Sequence, residues 1–310
     1  MYGAMWSPRT HALVRAALDE DLAERGDLSA ALLPDGHAPV AARLVPRQAG
    51  VVCGLALAPL ICREFSQRLA ADLRFEPLPA ANAVAPAPFA DGDRVAPGRA
   101  LARLCGPKAA VLTTERTLLN FLGRLSGVAT LTRRCVDAAR AVNPRVQILD
   151  TRKTLPGWRE LDRYAVRSGG GSNHRFGLYD AVLIKDNHLA GIAAHDLAGA
   201  LAALLRRLAE SAPSPRPAFV EVEADSLAQF EQIVGVPGVD MVLLDNFTPD
   251  DLRAAVRRRD ALGLAGRVLL EASGGVTEER LAAVAATGVD RISIGALTHS
   301  APQLDLGLDS

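Results

Sequence analysis

From residue 146 onward the chain is built on six short apolar runs, each ending abruptly in polar or charged residues. Run 146–149 leads into Asp150-Thr151-Arg152-Lys153, and 181–184 into Lys185-Asp186-Asn187-His188; the end of 218–222 carries Glu221 and Glu223. Run 241–244 meets Asp245-Asn246, 268–270 meets Glu271-Ala272-Ser273-Gly274-Gly275, and 291–294 meets Gly295-Ala296. Runs this short, with helical segments between several of them, predict parallel strands in β-α units. Such folds gather their active sites at the carboxyl ends of the strands. An open doubly wound sheet would concentrate reactive residues at one switch point; here they end all six runs, which favours a barrel. A closed barrel of this kind has about eight strands, so one or two must be weakly marked or missing.

The part up to Gly106 is of a different kind, mixing a few strands with helices and Pro-rich turns. Ser7-Pro8 reads as a helix N-cap with proline at the first helical position, and Ala12, Leu13, Ala16 and Ala17 are expected on the inner face. Strands are expected at 41–45 and 50–53, and Leu57, Leu60, Ile61, Phe65 and Leu69 follow helical spacing. The stretch 77–97, rich in Pro, Ala and Gly, reads as irregular strands and turns, with Asp91-Gly92 a turn signal. A long helix over 108–142 follows, closed by Pro144 and expected to break near Ser126-Gly127.

Composition removes several classes of function. Lys+Arg and Asp+Glu both number 35 in a 310-residue chain, so no global basic field draws in nucleic acid. Aromatic residues make up 4%, too few for a base-stacking platform. Cys53, Cys62, Cys105 and Cys135 form no Cys-x-x-Cys pair, which points away from zinc and thioredoxin chemistry and toward small buried residues in a reducing cytosol. Arg9, His11 and Arg15 interrupt any apolar core of a signal peptide, and no stretch reaches the roughly 18 apolar residues of a membrane span. A cytoplasmic protein is expected, without a membrane partner.

The strand ends carry the chemistry. Arg152, Lys153 and Lys185 follow apolar strands, and His174-Arg175 follows Gly169-Gly170-Gly171, flexible backbone that suits close approach to a ligand or simply a structural loop. Arg159, Arg163 and Arg167 recur at helical i, i+4 spacing and read as a solvated face. Arginine forks match carboxylate and phosphate oxygens in pairs, while lysine supplies a movable charge. So many cations in a neutral chain imply a polyanionic substrate. Glu223 and Asp245, on successive strand ends, suit magnesium or sugar hydroxyls, or else pair with the nearby cations. Ser273-Gly274-Gly275 before a helix N-cap at Thr277 reads as a phosphate turn or a plain tight turn, and Gly295-Ala296 offers a second. No Ser-His or Cys-His nucleophile pair stands out.

With these residues laid out, the chain closely resembles the decarboxylating quinolinate phosphoribosyltransferases. The matching stretches include Thr114–Asn120 as TERTLLN, SGVAT at 126–130, DTRKTLPG at 150–157 and GGGSNHRFGLYDAVLIKDNH at 169–188. VEVEADSL at 220–227, LLDNF at 243–247, EASGGV at 271–276 and GVDRISIGALTHSAPQLDLGL at 288–308 continue the likeness, which runs nearly end to end. Glu20-Asp21 and Gly26-Asp27 look like the family's first motif with a slightly stretched spacer.

The resemblance implies an incomplete seven-stranded α/β, TIM-like barrel over 122–296. It also implies an N-terminal α/β sandwich over 1–121, completed by the tail 297–310. It implies a homodimer in which Arg116 reaches the neighbour's site. Quinolinate would be held by Arg116, Arg152, His174 and Arg175, with Thr151 among the binding residues. Lys153 and Lys185 would face the diphosphate and ribose of phosphoribosyl pyrophosphate. Glu223 and Asp245 would manage the ribose hydroxyls and Mg2+, directly or through water. Ser273, Gly274, Gly275 and Gly295 would bind the 5-phosphate, with His299 nearby. Glu221 competes with Glu223 for its role, and Glu223 is favoured. A non-catalytic phosphoribosyl-ligand binder and a monocarboxylate (nicotinate) phosphoribosyltransferase are the alternatives. A degenerate binder should have lost some of Arg152, Lys153, Arg175, Lys185, Glu223 and Asp245, and all are present.

Overall fold

The computed structural model describes residues 6–80, 87–211 and 215–309, so positions 81–86 of the stretch rich in Pro, Ala and Gly lie outside the described residues. In chain order the elements begin with α1 (Pro8–Leu22), β1 (Pro39–Pro46), β2 (Gly50–Val51), α2 (Ala58–Leu69), β3 (Arg74–Pro77), β4 (Arg94–Val95) and β5 (Ala102–Pro107). Next come α3 (Lys108–Arg140), β6 (Gln147–Leu149), α4 (Arg159–Ser168), β7 (Val182–Ile184), α5 (Leu197–Ser211), β8 (Val220–Ala224) and α6 (Leu227–Ile233). Then follow β9 (Met241–Asp245), α7 (Pro249–Ala261), β10 (Leu269–Ser273), α8 (Glu278–Ala285), β11 (Arg291–Ser293), a short helix Ala296–His299, and finally β12 (Leu306–Asp309). They form two compact units: Met1–Arg133 with Thr154–Gly170 and Thr298–Ser310, and Arg134–Lys153 with Gly171–Leu297.

In the first unit an antiparallel sheet runs in the order β12-β1-β5-β3, the tail strand pairing Leu308 with Leu44 and Leu306 with Pro46. Ser7 and Pro8 open α1 as the sequence predicts, yet Ser7 does not cap the helix with its own side chain. Glu160 of α4 accepts from Ser7 N at 3.1 Å, from Ser7 Oγ, and from Thr10 Oγ1 at 2.6 Å. Burial would push the Glu160 carboxyl up, but these hydrogen bonds outweigh it and hold it below the usual range. The expected inner face of α1 is corrected. Thr10, Val14, Leu18 and Leu22 are buried, not Ala12, Leu13, Ala16 and Ala17, because their i, i+4 stripe carries three large aliphatic side chains whereas the expected face carries one, Leu13.

Helix α3 runs unbroken through Ser126-Gly127, contrary to the predicted break. These two residues serve packing instead. Ser126 Oγ accepts from Cys53 N at 2.9 Å and donates to Cys53 O at 3.1 Å. A Cβ on Gly127 would overlap the Pro302 carbonyl of the tail. Gly169 has a similar reason: a Cβ there would stand 2.5 Å from Ala129 O and 2.6 Å from Thr132 Cβ. The first of the three glycines thus serves helix packing within this unit.

In the second unit six parallel strands run in the order β6-β11-β10-β9-β8-β7. The first strand in the chain pairs with the last, as barrel closure requires, while among the described residues β6 and β7 do not pair. Between them Ser172 makes a single parallel bridge to Leu149, with Ser172 N donating to Ile148 O at 2.7 Å. This bridge is the seventh strand, reduced to one residue. It follows three glycines and has no apolar run of its own, so periodicity could not reveal it. The fold is therefore an incomplete seven-stranded α/β barrel alongside an N-terminal sheet domain.

Paired residues of neighbouring strands share a face. The pairs Ile148–Ile292, Val222–Val242 and Ala272–Leu244 lie on one face and are buried. The pairs Leu183–Glu221, Glu221–Met241, Glu223–Leu243 and Glu271–Arg291 lie on the other. That second face carries charge into the interior.

Candidate active site

At the carboxyl ends of the barrel strands a cavity of about 470 Å³ opens, a size suited to small-molecule ligands. Its wall brings together Thr151, Arg152, Lys153, His174, Arg175, Lys185, Glu223, Asp245, Ser273 and Gly274, all singled out from the sequence. A larger cavity of about 640 Å³ lies at the amino-terminal strand ends, beside Gln147, Leu269 and Asp290. There Arg259 is already paired with Asp260 and Asp290, so less charge is left for a ligand.

The segment 172–180 is fixed by three acids. Buried Asp150 accepts from Asn173 Nδ2 at 2.6 Å and from His174 N at 2.7 Å. Asp180 accepts from Phe176 N at 2.6 Å and Gly177 N at 2.9 Å. Glu221 Oε2 lies 2.7 Å from His174 Nε2, while His174 Nδ1 accepts from Arg175 N at 2.8 Å. Both ring nitrogens of His174 thus have protein partners, and the ring orients its neighbour more than it reaches outward. The Arg175 guanidinium is buried and donates to Ala181 O at 3.3 Å. Burial, together with Arg152 nearby, lowers its pKa.

Glu221 and Glu223, two residues apart, share one face of β8 and differ in depth along the strand. Glu221 is fully buried against His174, whereas Glu223 lines the cavity with Oε2 3.0 Å from Lys185 Nζ. This favours Glu223 as the residue that meets a ligand. Glu271, which also lines the cavity, has Oε1 3.5 Å from His174 Nε2 and Oε2 3.1 Å from Arg291 Nε. Burial and the charge of Glu221 push the Glu271 carboxyl up to about 7. Burial lowers the His174 pKa, but the Glu221 hydrogen bond and the charges of Glu271 and Glu221 prevail and raise it.

Donor atoms of His174, Glu221 and Glu271 lie within 4.8 Å of one another, close enough for a metal ion. Arg291 already neutralises part of this cluster, which disfavours adding a divalent cation. Glu223 and Asp245 fit a magnesium ion better, as hard carboxylate oxygens on adjoining strands at the open cavity wall. The thiols fit no chemistry here. Burial pushes Cys62 up to about 12 and Cys135 up to about 11, and it raises Cys53 and Cys105 as well.

At the end of β10, Gly274 and Gly275 both take left-handed backbone, φ 86° and 56°, which only glycine adopts readily. Thr277 occupies the N-cap position of α8 in an extended conformation without a side-chain cap hydrogen bond, and Glu278 and Glu279 fill the first helical turn. Ser273 and Gly274 reach the cavity wall; Gly275 and Gly295 are not among its lining residues. Arg116 and His299 belong to the first unit and are exposed, His299 with Nδ1 2.7 Å from Ser300 Oγ. Arg159, Arg163 and Arg167 also lie in the first unit. Their face is only partly solvated, for Arg159 donates to Thr154 Oγ1 at 3.2 Å and Arg167 stacks over Tyr164. Asp150, Glu221, Glu271 and Asp180 escaped the sequence reading as structural supports. The alternating Glu-Val-Glu of β8 and an acid directly after β6 were the available signals.

Two family models cover most of the chain: the quinolinate phosphoribosyl transferase N-terminal domain matches residues 27–126 and the C-terminal domain 128–309. Over 297 residues the chain is 40% identical to the nicotinate-nucleotide pyrophosphorylase (carboxylating) of Mycobacterium leprae, covering 96% of this chain and 95% of that protein. A solved structure of NadC from Streptococcus pyogenes matches with a TM-score of 0.83 at 34% identity, over 99% of this chain and 98% of the other. The nicotinate-nucleotide pyrophosphorylase of Francisella tularensis matches with a TM-score of 0.79 at 34% identity, over 98% and 97%. Sequence and fold agree: the chain belongs to the quinolinate phosphoribosyl transferase family.

Proposed function

We propose that the protein joins quinolinate to the ribose-5-phosphate of phosphoribosyl pyrophosphate, releasing pyrophosphate and carbon dioxide and forming nicotinate mononucleotide for NAD biosynthesis. The observation that carries this reading is the convergence of Arg152, Lys153, Arg175 and Lys185 with Glu223 and Asp245 on one cavity. A dicarboxylate and a diphosphate ester together need such a concentration of cations. The family membership and the similarity to named pyrophosphorylases support it.

Arg152 and Arg175 suit the two ring carboxylates, since guanidinium forks take carboxylate oxygens in pairs. His174 sets the Arg175 main chain from beneath. Lys153 and Lys185 face the diphosphate, where negative charge grows as the bond from the anomeric carbon to pyrophosphate breaks. Magnesium held by Glu223 and Asp245 would add charge stabilisation on the same leaving group. The pyridine nitrogen supplies the electron pair of the new bond. It becomes positive and stabilises the electron pair left on the adjacent ring carbon when the 2-carboxylate leaves as carbon dioxide; that pair then binds a proton. No strong base is required, and orientation of the ring contributes most of what the protein supplies.

The same reading includes a cytoplasmic homodimer in which Arg116 of one subunit completes the partner's site. The decisive assay supplies quinolinate and nicotinate separately with magnesium and phosphoribosyl pyrophosphate. Nicotinate mononucleotide and carbon dioxide are expected from quinolinate. Robust turnover of nicotinate with none of quinolinate would reverse the substrate assignment, and turnover of neither would favour a binding protein.

A further inference from the structure

Asn246 follows Asp245 at the end of β9 and has left-handed backbone, φ 57°. Among the described residues two other non-glycine positions share this region, Ala23 and Ala70, and both terminate helices. Asn246 instead ends a barrel strand beside the cavity, and asparagine tolerates the conformation better than most side chains.

Three contacts follow from that backbone. Asn246 Nδ2 donates to Asp245 Oδ2 at 2.8 Å. Its backbone N donates to Ser273 O at 2.9 Å, tying the end of β9 to the end of β10. A Cβ on Gly274 would stand 2.8 Å from Asn246 N and overlap Asn246 Oδ1, so glycine at 274 is required by Asn246 as well as by its own φ of 86°. Asn246 is exposed, so core burial does not account for its side chain. What it does is orient one carboxylate while fitting one glycine turn.

We propose that Asn246 is a positioning residue that holds the Asp245 carboxylate and the Ser273-Gly274 turn in one arrangement, so that the hydroxyl end and the phosphate end of a phosphorylated ribose are set together. The inference rests on the phosphoribosyl-transfer reading above. Asn246 touches no reacting atom; it acts through Asp245 and Gly274.

Two variants separate this role from general support of the fold. Asn246→Gly keeps the left-handed backbone without strain and deletes the side chain. Asn246→Asp keeps the shape but turns the donor toward Asp245 into a second anion. The measurements are calorimetric affinity for magnesium phosphoribosyl pyrophosphate, KM for each substrate, and thermal unfolding. For Asn246→Gly, donor affinity should fall and donor KM rise about tenfold, the effect of losing one hydrogen bond to a charged group. The quinolinate KM and the melting temperature should stay near wild type, and Asn246→Asp should lose more donor affinity still.

Unchanged donor affinity in Asn246→Gly would overturn the proposal, as would equal losses for both substrates. If Asn246→Gly does not fold, the isosteric Asn246→Asp decides alone: wild-type donor affinity in it overturns the proposal. Wild-type protein that binds no donor removes the phosphoribosyl-transfer reading and this inference with it. Wild-type protein that turns over normally beside an indistinguishable Asn246→Gly removes only the inference.

Discussion

At the cavity wall, burial decides what each charged residue does. Lys185 is exposed and meets Glu223 across 3.0 Å, an arrangement that a diphosphate can displace. Glu271 is fully buried between His174 and Arg291. Its carboxyl, pushed up to about 7 from the ordinary 4.5, binds its proton more tightly folded than unfolded. Between those values the folded state holds more protons, so stability falls as pH rises through that window. The raised His174 acts in the same sense: its contribution is present below its ordinary 6.5 and is lost as pH climbs through the higher folded value. Glu271→Gln keeps the shape and removes one titration. Scanning calorimetry from about pH 5 to about pH 8 should show the wild-type melting temperature falling more steeply than that of the variant. Parallel curves would mean that Glu271 does not titrate there. At this scale the cations were legible in the sequence because they break apolar runs. The supporting acids were not, since an acid that orients a neighbour reads like one that meets solvent.

Single glycines decide the elements. Gly127 sits in α3, where propensity alone would favour alanine by about 1 kcal/mol. A Cβ there overlaps the Pro302 carbonyl, so Gly127→Ala should destabilise by about 1–3 kcal/mol instead. Gly199, in α5, is exposed, and a Cβ there meets nothing within 4 Å. Gly199→Ala should therefore stabilise by up to ~1 kcal/mol. Urea denaturation midpoints of the two variants should move in opposite directions; movement in the same direction would reject the packing argument. The predicted break at Ser126-Gly127 failed for the same reason. Glycine in a helical pattern reports either a break or a close approach, and only the packing of the tail at Pro302 reveals which. The six apolar runs, by contrast, became strands nearly where they were read, because parallel strands buried on both faces leave a continuous hydrophobic trace.

For the whole molecule, the proposed shared site makes a quantitative expectation. Arg116→Ala and Lys153→Ala proteins, each inactive alone, should recover activity when mixed and allowed to exchange subunits. Random pairing makes half the dimers mixed, each with one intact site of two, so recovery should approach about a quarter of wild type. No recovery despite demonstrated exchange would place both residues in a site within one chain.

What the sequence determined by itself was the β-α alternation, the end of the strands that bears the chemistry, and the cationic character of the ligand site. Each of these is written locally, in the spacing of apolar residues and the charge that follows them. Only the tertiary structure decided which of Glu221 and Glu223 faces the cavity, that Ser172 is the remnant of a seventh strand, and that Asn246 binds two strand ends together. Those outcomes depend on pairing between residues far apart in the chain, and no local pattern encodes which partner a strand edge or a carboxylate will find.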